Sequence, residues 1–373
     1  MNASIIPKNP ILISVVLPQF HPIPENDRWW GKGFTEWRNV VKATPQFKNH
    51  YQPRLPSELG FYDLRLADTR LQQAKLAEEH GIGGFCYYHY WFNGHQLLER
   101  PVQEILKTKE PNFPFCLCWA NENWSRAWNG SNKEILIEQK YSTADDINHI
   151  ESLIPYFLDP RYIRINGKPL FIFYKANQLP TPQKTFDTWR EIAFHRGVGE
   201  LCLAQFEWSG DGSTKSPKDL GLDVSIEFTP DWRRLGGQYY ATQKSKIAIA
   251  LGLLPKVYKN HRVFDYELMI DRILKKSTPD YPFLRCVSPG FDNSARRKKD
   301  ATILINSTPE GYQRWLEETI RWTQRNNKPE HQIIFINAWN EWAEGNHLEP
   351  DEKHGRSYLE ATRNALNSTN ILY

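Results

Sequence analysis

The chain has 373 residues, 40% of them hydrophobic and 24% charged, a composition that supports a large buried core and excludes intrinsic disorder. With 47 basic and 43 acidic residues its formal net charge is +4, too close to balance to point to a nucleic-acid or anionic-membrane partner. The length admits two domains or one large α/β barrel, and the 13% of aromatic residues, 14 tryptophans among them, suits a packed core and a sugar cleft alike.

At the amino terminus Lys8 and Asn9-Pro10 precede an apolar run of residues 11–16, too short and wrongly flanked for a secretory signal. No stretch approaches the length of a membrane span. A cytoplasmic location is therefore expected, or a secreted or periplasmic one if a signal has been removed. From residue 11 onward, strand-like apolar runs alternate with helix-like segments, as in a parallel α/β architecture. The runs are residues 11–17, 83–88, 115–119, 170–174, 201–206, 224–228, 283–287 and 333–336, roughly eight, the number that closes a barrel. Between them, helical patterns cover residues 66–79, stopped by His80-Gly81, and residues 312–325, with basic residues near the end. No G-x-G-x-x-G follows the first run, and Gly81-Ile82-Gly83-Gly84 precedes a strand instead of opening a helix, which argues against a doubly wound sheet. No linker or repeat divides the chain. The expected fold is one (β/α)8 catalytic domain of the TIM type over residues 1–373.

Cys86, Cys116, Cys118, Cys202 and Cys286 all fall in these apolar runs; odd in number, they read as reduced core thiols. Cys116 and Cys118 form C-x-C, not the C-x-x-C of a zinc or redox site. Irregular insertions are expected at residues 18–58, 209–218 and 229–259, on the face of a barrel where active sites assemble. Arg296-Arg297-Lys298-Lys299 reads as a solvated basic loop, with a clamp for an anionic sugar or phosphate as the sharper alternative.

Polar and aromatic residues gather beyond nearly every strand-like run. They include Gln19-Phe20-His21, Trp29-Trp30-Gly31 and Phe34-Thr35-Glu36-Trp37, then Tyr87 to Phe92, Trp119-Ala120-Asn121-Glu122-Asn123-Trp124 and Gln205-Phe206-Glu207-Trp208. Later come Glu227-Phe228-Thr229-Pro230-Asp231-Trp232 and Ser288-Pro289-Gly290-Phe291-Asp292-Asn293. Together these describe stacking platforms for ring faces, with Asn, His and acids for hydroxyls. The last run leads into Asn337-Ala338-Trp339-Asn340-Glu341-Trp342-Ala343-Glu344-Gly345. Two carboxylates three residues apart, walled by two indoles, are the equipment for breaking a glycosidic bond: two carboxyl groups on one sugar, one kept protonated by an apolar wall. Taken alone, such an acid pair is more often a solvated surface loop; the strand before it and the tryptophans within it favour the site reading. The expected substrate-binding set is Tyr88, His89, Trp119, Asn121, Trp339, Asn340 and Trp342, around Glu341 and Glu344 as catalytic groups. In a regular strand Tyr87 and Tyr88 cannot both face inward.

Asn340-Glu341-Trp342-Ala343-Glu344-Gly345 resembles the N-E-W-x-E-G signature of glycoside hydrolase family 99, the endo-α-mannosidase and endo-α-mannanase family. Over nearly the whole chain the pattern is more similar still to the WbsX-type proteins of bacterial surface-polysaccharide loci. That resemblance is carried by Leu17-Pro18-Gln19-Phe20-His21, Gly31-Lys32-Gly33-Phe34-Thr35-Glu36-Trp37, Tyr87-Tyr88-His89-Tyr90-Trp91-Phe92 and Trp119-Ala120-Asn121-Glu122-Asn123-Trp124. It implies a (β/α)8 barrel with the site at the strands' carboxyl ends. It also implies retaining cleavage of α-linked sugars through a 1,2-anhydro intermediate. By position, Glu341 matches the base acting on the substrate's 2-hydroxyl and Glu344 the general acid/base. Ala343 stands where those mannosidases commonly have a histidine, which bears on the substrate more than on the chemistry.

Three functions compete: a hydrolase or transglycosylase acting on an α-linked bacterial polysaccharide, a glycosyltransferase assembling one, and a silent sugar-binding barrel. A nucleotide-sugar transferase would usually carry a D-x-D motif, and the sequence has none. The nearest metal-like set, His347 with Glu349-Pro350-Asp351, reads as a rim or helix-start cluster. The expectation is therefore an oligo- or polysaccharide substrate, no metal, no cofactor, no nucleic acid and no membrane span.

Overall fold

The computed structural model describes residues 9–125, 134–207, 215–240, 242–255 and 257–369. Trp208 and residues 209–214 of the second expected insertion, together with Ala241 and Lys256 of the third, lie outside them.

Eight parallel strands close on themselves. They are β1 (Ile11–Val16), β2 (Ile82–Phe92), β3 (Phe115–Trp119), β4 (Lys168–Phe173), β5 (Cys202–Glu207), β6 (Val224–Glu227), β7 (Phe283–Val287) and β8 (Ile333–Ile336). Each pairs with its neighbour in chain order, and β1 closes the ring by pairing with both β8, Ile11 opposite Ile333, and β2, Val16 opposite Tyr87. The protein is a (β/α)8 TIM-type barrel. The reason is compositional. Residues of β8, β3 and β7 are buried throughout, and β-branched or aromatic side chains tolerate burial on both faces of a parallel sheet. Each such side chain contributes roughly 1.5–3 kcal/mol on leaving water. All five cysteines are free and buried.

Helices follow the strands on the outside, among them α1 (Ala67–Glu79), α2 (Arg100–Thr108), α3 (Thr143–Phe157), α4 (Pro182–His195), α5 (Pro217–Leu220), α6 (Tyr266–Leu274), α7 (Pro309–Asn326) and α8 (Ser357–Thr369). Local signals set their ends. Thr308 caps α7 by accepting from the Gly311 N–H, Pro309 occupies the first turn, and Tyr312, Trp315, Leu316, Thr319, Ile320 and Thr323 form one buried stripe. Helix α1 stops at His80, and Gly81 takes the left-handed φ of +80° that releases the chain into β2. Among the described residues no helix is long and apolar enough to cross a membrane.

The sequence reading differs most at β2. Its aromatic tail, expected beyond the strand, is part of it: β2 runs eleven residues to Phe92 and pairs with residues His95–Leu97. Strict alternation therefore governs residues 87–92. Tyr88 and Tyr90 face the barrel mouth, while Tyr87, His89 and Trp91 face the helices.

Candidate active site

At the carboxyl ends of the strands lies a cleft of about 370 Å³ lined by Tyr88, Tyr90, Trp124, Tyr174, Phe228, Trp30, Asn26, Asn337, Arg296, Arg297, Glu341 and Glu344, among others. The aromatic wall is continuous. Tyr88 meets Tyr174 edge-on at 6.1 Å, Tyr174 meets Phe228 at 5.2 Å, and Tyr90 meets Trp124 at 5.2 Å. Ring faces and edges in that arrangement suit the apolar faces of sugars.

The acids are organised by one cation. Arg296 Nη2 donates to Glu341 Oε2 at 3.0 Å, Arg296 Nη1 to Glu344 Oε1 at 2.6 Å, and Arg296 Nε to Glu36 Oε1 at 2.8 Å, with Nη2 also bonded to Glu36. Three carboxylates thus share a single planar fork. Burial pushes the Glu341 carboxyl up to about 8; Arg296 offsets this only in part, and Glu344 and Glu36 add to it. Burial likewise raises Glu36, which is fully enclosed, again against the pull of Arg296. Burial disfavours the charge on Arg296 itself, but its three acid partners more than offset that and hold it ionised. Glu344 is the open member, its side chain 27% exposed against 9% for Glu341.

Local chain geometry sets these positions. Beyond β8, Asn340-Glu341 pairs with Asn346-His347, and Trp342–Glu344 form one tight turn. Gly345 ends that turn at φ +56°, and a Cβ there would lie 2.9 Å from Arg54 Nε and 3.0 Å from Asp292 Cβ, so both torsion and space require glycine. The Asp292 N–H donates to the Glu344 carbonyl at 2.6 Å. Asp292 is itself locked by His50 Nε2 at 2.7 Å and Gln52 Nε2 at 2.9 Å. Asn337, joined to Ala338 by a cis peptide, donates to the Thr229 carbonyl at 2.7 Å.

Of the expected binding set, Tyr88 lines the cleft with Glu341 and Glu344. The other six are corrected by the structure. His89 points outward and meets His149 of α3, Nε2 to Nε2, at 2.8 Å; burial pushes its pKa down to about 3, so it is neutral. Trp119 is also on the outer side of the sheet, packed on His149 at 4.5 Å and Trp189 at 6.3 Å. Asn121 clamps the Lys175 backbone, its amide donating to the carbonyl and accepting from the N–H, both at 2.8 Å. Asn340 grips Leu17 in the same way, at 3.0 and 2.7 Å. Trp339 is fully buried against Phe85, and Trp342 stacks on His347 at 3.8 Å while donating to Glu349 at 2.7 Å. None of these six side chains lines the cleft; tyrosines and a phenylalanine from other strands do.

Several residues stood outside that binding set. Tyr90, Tyr174, Phe228, Trp30, Asn26, Asn337 and Arg296 line the cleft, and Glu36 completes the acid cluster. Asn26 is almost wholly buried, yet among the described residues neither of its amide atoms is bonded, and the same holds for Asn337 Oδ1. A substrate's hydroxyls can satisfy such groups. The only sequence signal for Glu36 was its place in Gly33-Phe34-Thr35-Glu36-Trp37. Arg296 is not the solvated residue its basic run suggested: it is enclosed, and it bonds three of the protein's own acids. His347, Glu349 and Asp351 are structural too. Glu349, pushed up to about 7 by burial against hydrogen bonds from Trp342, Gln73 and Tyr62, ties the last loop to α1. Among the described residues no three His, Cys, Asp or Glu groups converge on a metal position.

A barrel with two glutamates at its mouth beneath an aromatic cleft is the layout of a carbohydrate-active enzyme of the glycosyl hydrolase or glycosyltransferase type, and comparison with known proteins supports that class. The model of the family "Glycosyltransferase WbsX" matches residues 12–362, and the chain belongs to that family. WxcX of Xanthomonas campestris pv. campestris, strain B100, is 42% identical over 355 residues, covering 95% of this chain and 49% of its own. The chain therefore spans about half the length of the curated relatives it matches. Two solved structures share the fold. One, called a glycoside hydrolase-like protein, has a TM-score of 0.58 at 12% identity over 98% of this chain and 97% of its own. The other, the glycoside hydrolase family 99 endo-alpha-mannosidase of Bacteroides thetaiotaomicron, has a TM-score of 0.57 at 15% identity over 98% of both chains.

Proposed function

We propose that the chain cleaves or transfers an α-linked glycosyl unit of a bacterial surface polysaccharide with retention, using Glu341 and Glu344 as its proton-transfer pair. The observation that carries this reading is the Arg296 fork, which holds both carboxylates at the floor of an aromatic cleft. Glu341 takes the proton of the substrate's 2-hydroxyl, and that oxygen attacks the anomeric carbon as the bond to the leaving oxygen breaks. Glu344 gives its proton to the leaving oxygen. The resulting 1,2-anhydro sugar opens when Glu344, now ionised, deprotonates an incoming hydroxyl that attacks the anomeric carbon. Glu341 then returns its proton to the 2-oxygen. Two inversions give retention; water as the incoming group gives hydrolysis, and a sugar hydroxyl gives transfer. Attack within one bound sugar is unimolecular, which removes much of the entropic barrier.

A carboxyl raised by burial is a stronger base than a solvated one, and a hydroxyl is a poor acid, so the environment of Glu341 suits this role. The pH dependence follows. The reaction needs one proton shared between Glu341, whose carboxyl is raised to about 8, and Glu344, so kcat/KM falls above about pH 8 as the pair loses that proton. The limb is the same whichever glutamate holds the proton, so it tests the pair, and a rate still rising above about pH 8 would count against it. The measurement is kcat/KM against pH on an α-linked oligosaccharide, with the product anomer read by NMR.

The family's transferase name keeps a second reading in view, in which a nucleotide sugar is the donor. On the proposed mechanism, excess chelator leaves the rate unchanged, and calorimetry detects no nucleotide-sugar binding. Turnover that depends on a nucleotide sugar and a divalent metal would replace the first reading with the second.

A further inference from the structure

The balanced charge of the whole chain conceals a local asymmetry in the insertion between β6 and α6. From Trp232 to Phe264 the sequence carries Arg233, Arg234, Lys244, Lys246, Lys256, Lys259 and Arg262 and not one Asp or Glu. Within it, residues Gln243–Ala250 form a helix capped by Thr242, whose hydroxyl accepts from the Ser245 N–H, and only Ile249 of that helix is buried. The helix ends in a compact stop. The Leu251 N–H donates to Ile247, the Leu253 N–H reaches back to the Ala248 carbonyl, and Gly252 takes φ +73°.

That stop presents large aliphatic side chains to solvent: Ile247 is 53% exposed, Leu251 69% and Leu253 74%. The last two are the most exposed aliphatic side chains among the described residues. Lys244 and Lys246 stand exposed on the same helix. The insertion is anchored to the body of the protein. Tyr258 stacks with Phe47 of the loop after β1, and Tyr239 and Tyr258 pack on Val263, Ala301 and Ile303. Because it follows the carboxyl end of β6, it belongs to the same face of the barrel as the cleft.

We propose that this insertion is a peripheral membrane-docking element, in which Ile247, Leu251 and Leu253 enter the interfacial layer of a bilayer and the surrounding Lys and Arg residues engage anionic lipid headgroups. Charge complementarity selects this occupant. Aliphatic tips on a segment whose own charged side chains between Asp231 and Asp265 are all basic match a surface that is apolar beneath and negative above. A protein partner would require an acidic rim around an apolar socket. Docking of this kind needs no membrane span, and it turns the catalytic face toward the bilayer, where a membrane-borne glycan would be presented. It stands independently of which glycosyl chemistry the cleft performs.

Vesicle flotation of the full chain tests this. Vesicles of phosphatidylcholine with phosphatidylglycerol are expected to carry the protein up the gradient, and pure phosphatidylcholine to carry at least tenfold less. The double variant Leu251→Asp/Leu253→Asp should lose binding at least tenfold while keeping the wild-type circular dichroism spectrum and melting temperature, since both side chains are exposed. Lys244→Ser/Lys246→Ser should weaken binding to anionic vesicles and reduce its salt dependence. Three results would overturn the proposal: no flotation with anionic vesicles at low salt, unchanged flotation of the leucine variant, or flotation lost in the lysine variant alone, which would mean adsorption without insertion. A leucine variant that fails to fold would contradict the exposure on which the proposal rests.

Discussion

Glu341→Gln and Glu344→Gln should each lower turnover by roughly 10²–10⁴-fold, the range for loss of one general acid or base, while glycan binding stays measurable. Glutamine keeps the shape and one hydrogen-bond acceptor for Arg296, so the cleft is not emptied. At Glu341 the neutral amide replaces a carboxyl that burial already drives toward its neutral form. The two variants separate on substrates that differ in leaving group. An aryl glycoside with an acidic phenol departs without protonation, so it should restore the bond-breaking step in Glu344→Gln and not in Glu341→Gln, where the 2-hydroxyl still lacks its base. Steady-state rates on natural-type and aryl substrates, with calorimetric binding, give the comparison. Near-wild-type turnover in either variant would remove that residue from the mechanism, and rescue of Glu341→Gln in place of Glu344→Gln would exchange their roles.

Arg296→Met carries the second large effect, on stability as well as rate. The guanidinium is the only cation bonded to Glu36 in the described contacts, and Glu36 is fully buried. Removing one partner of a buried ion pair costs about 3–5 kcal/mol, because the remaining charge keeps its desolvation penalty. The urea midpoint of Arg296→Met should fall accordingly, and on the proposed mechanism activity with it, since neither Glu341 nor Glu344 retains its anchor. Arg296→Lys should recover little: a single ammonium cannot reproduce a planar fork that bonds three acids at once. The double variant Glu36→Gln/Arg296→Met should regain stability without regaining rate, which separates the structural share of the cluster from the catalytic one. A loss of less than about 1 kcal/mol in Arg296→Met would show that Glu36 is readily neutralised by proton uptake and that the fork is not what holds the site.

The sequence by itself determined the barrel and the position of the acids. Every strand-like run became a barrel strand, because continuous burial on both faces demands unbroken β-branched and aromatic stretches, and that demand is written residue by residue in runs such as Ile333–Ile336. Glu341 and Glu344 were legible for the same reason: they follow the last strand directly, and parallel topology places such residues at the barrel mouth. What surrounds them was decided only by tertiary structure. Trp339 and Trp342 are adjacent to the acids in sequence yet turn into the core, whereas Tyr174 and Phe228, far away along the chain, form the wall. His89 and Tyr90 are neighbours on one strand, and alternation sends one to the helices and the other to the cleft, a choice that flips with a one-residue change in register or strand length. The pairing of Glu36 with Arg296 spans 260 residues. No local pattern encodes it: the field at one carboxylate depends on which charges the closed barrel brings within a few ångströms and on how much water they lose, and neither quantity exists before the chain has folded.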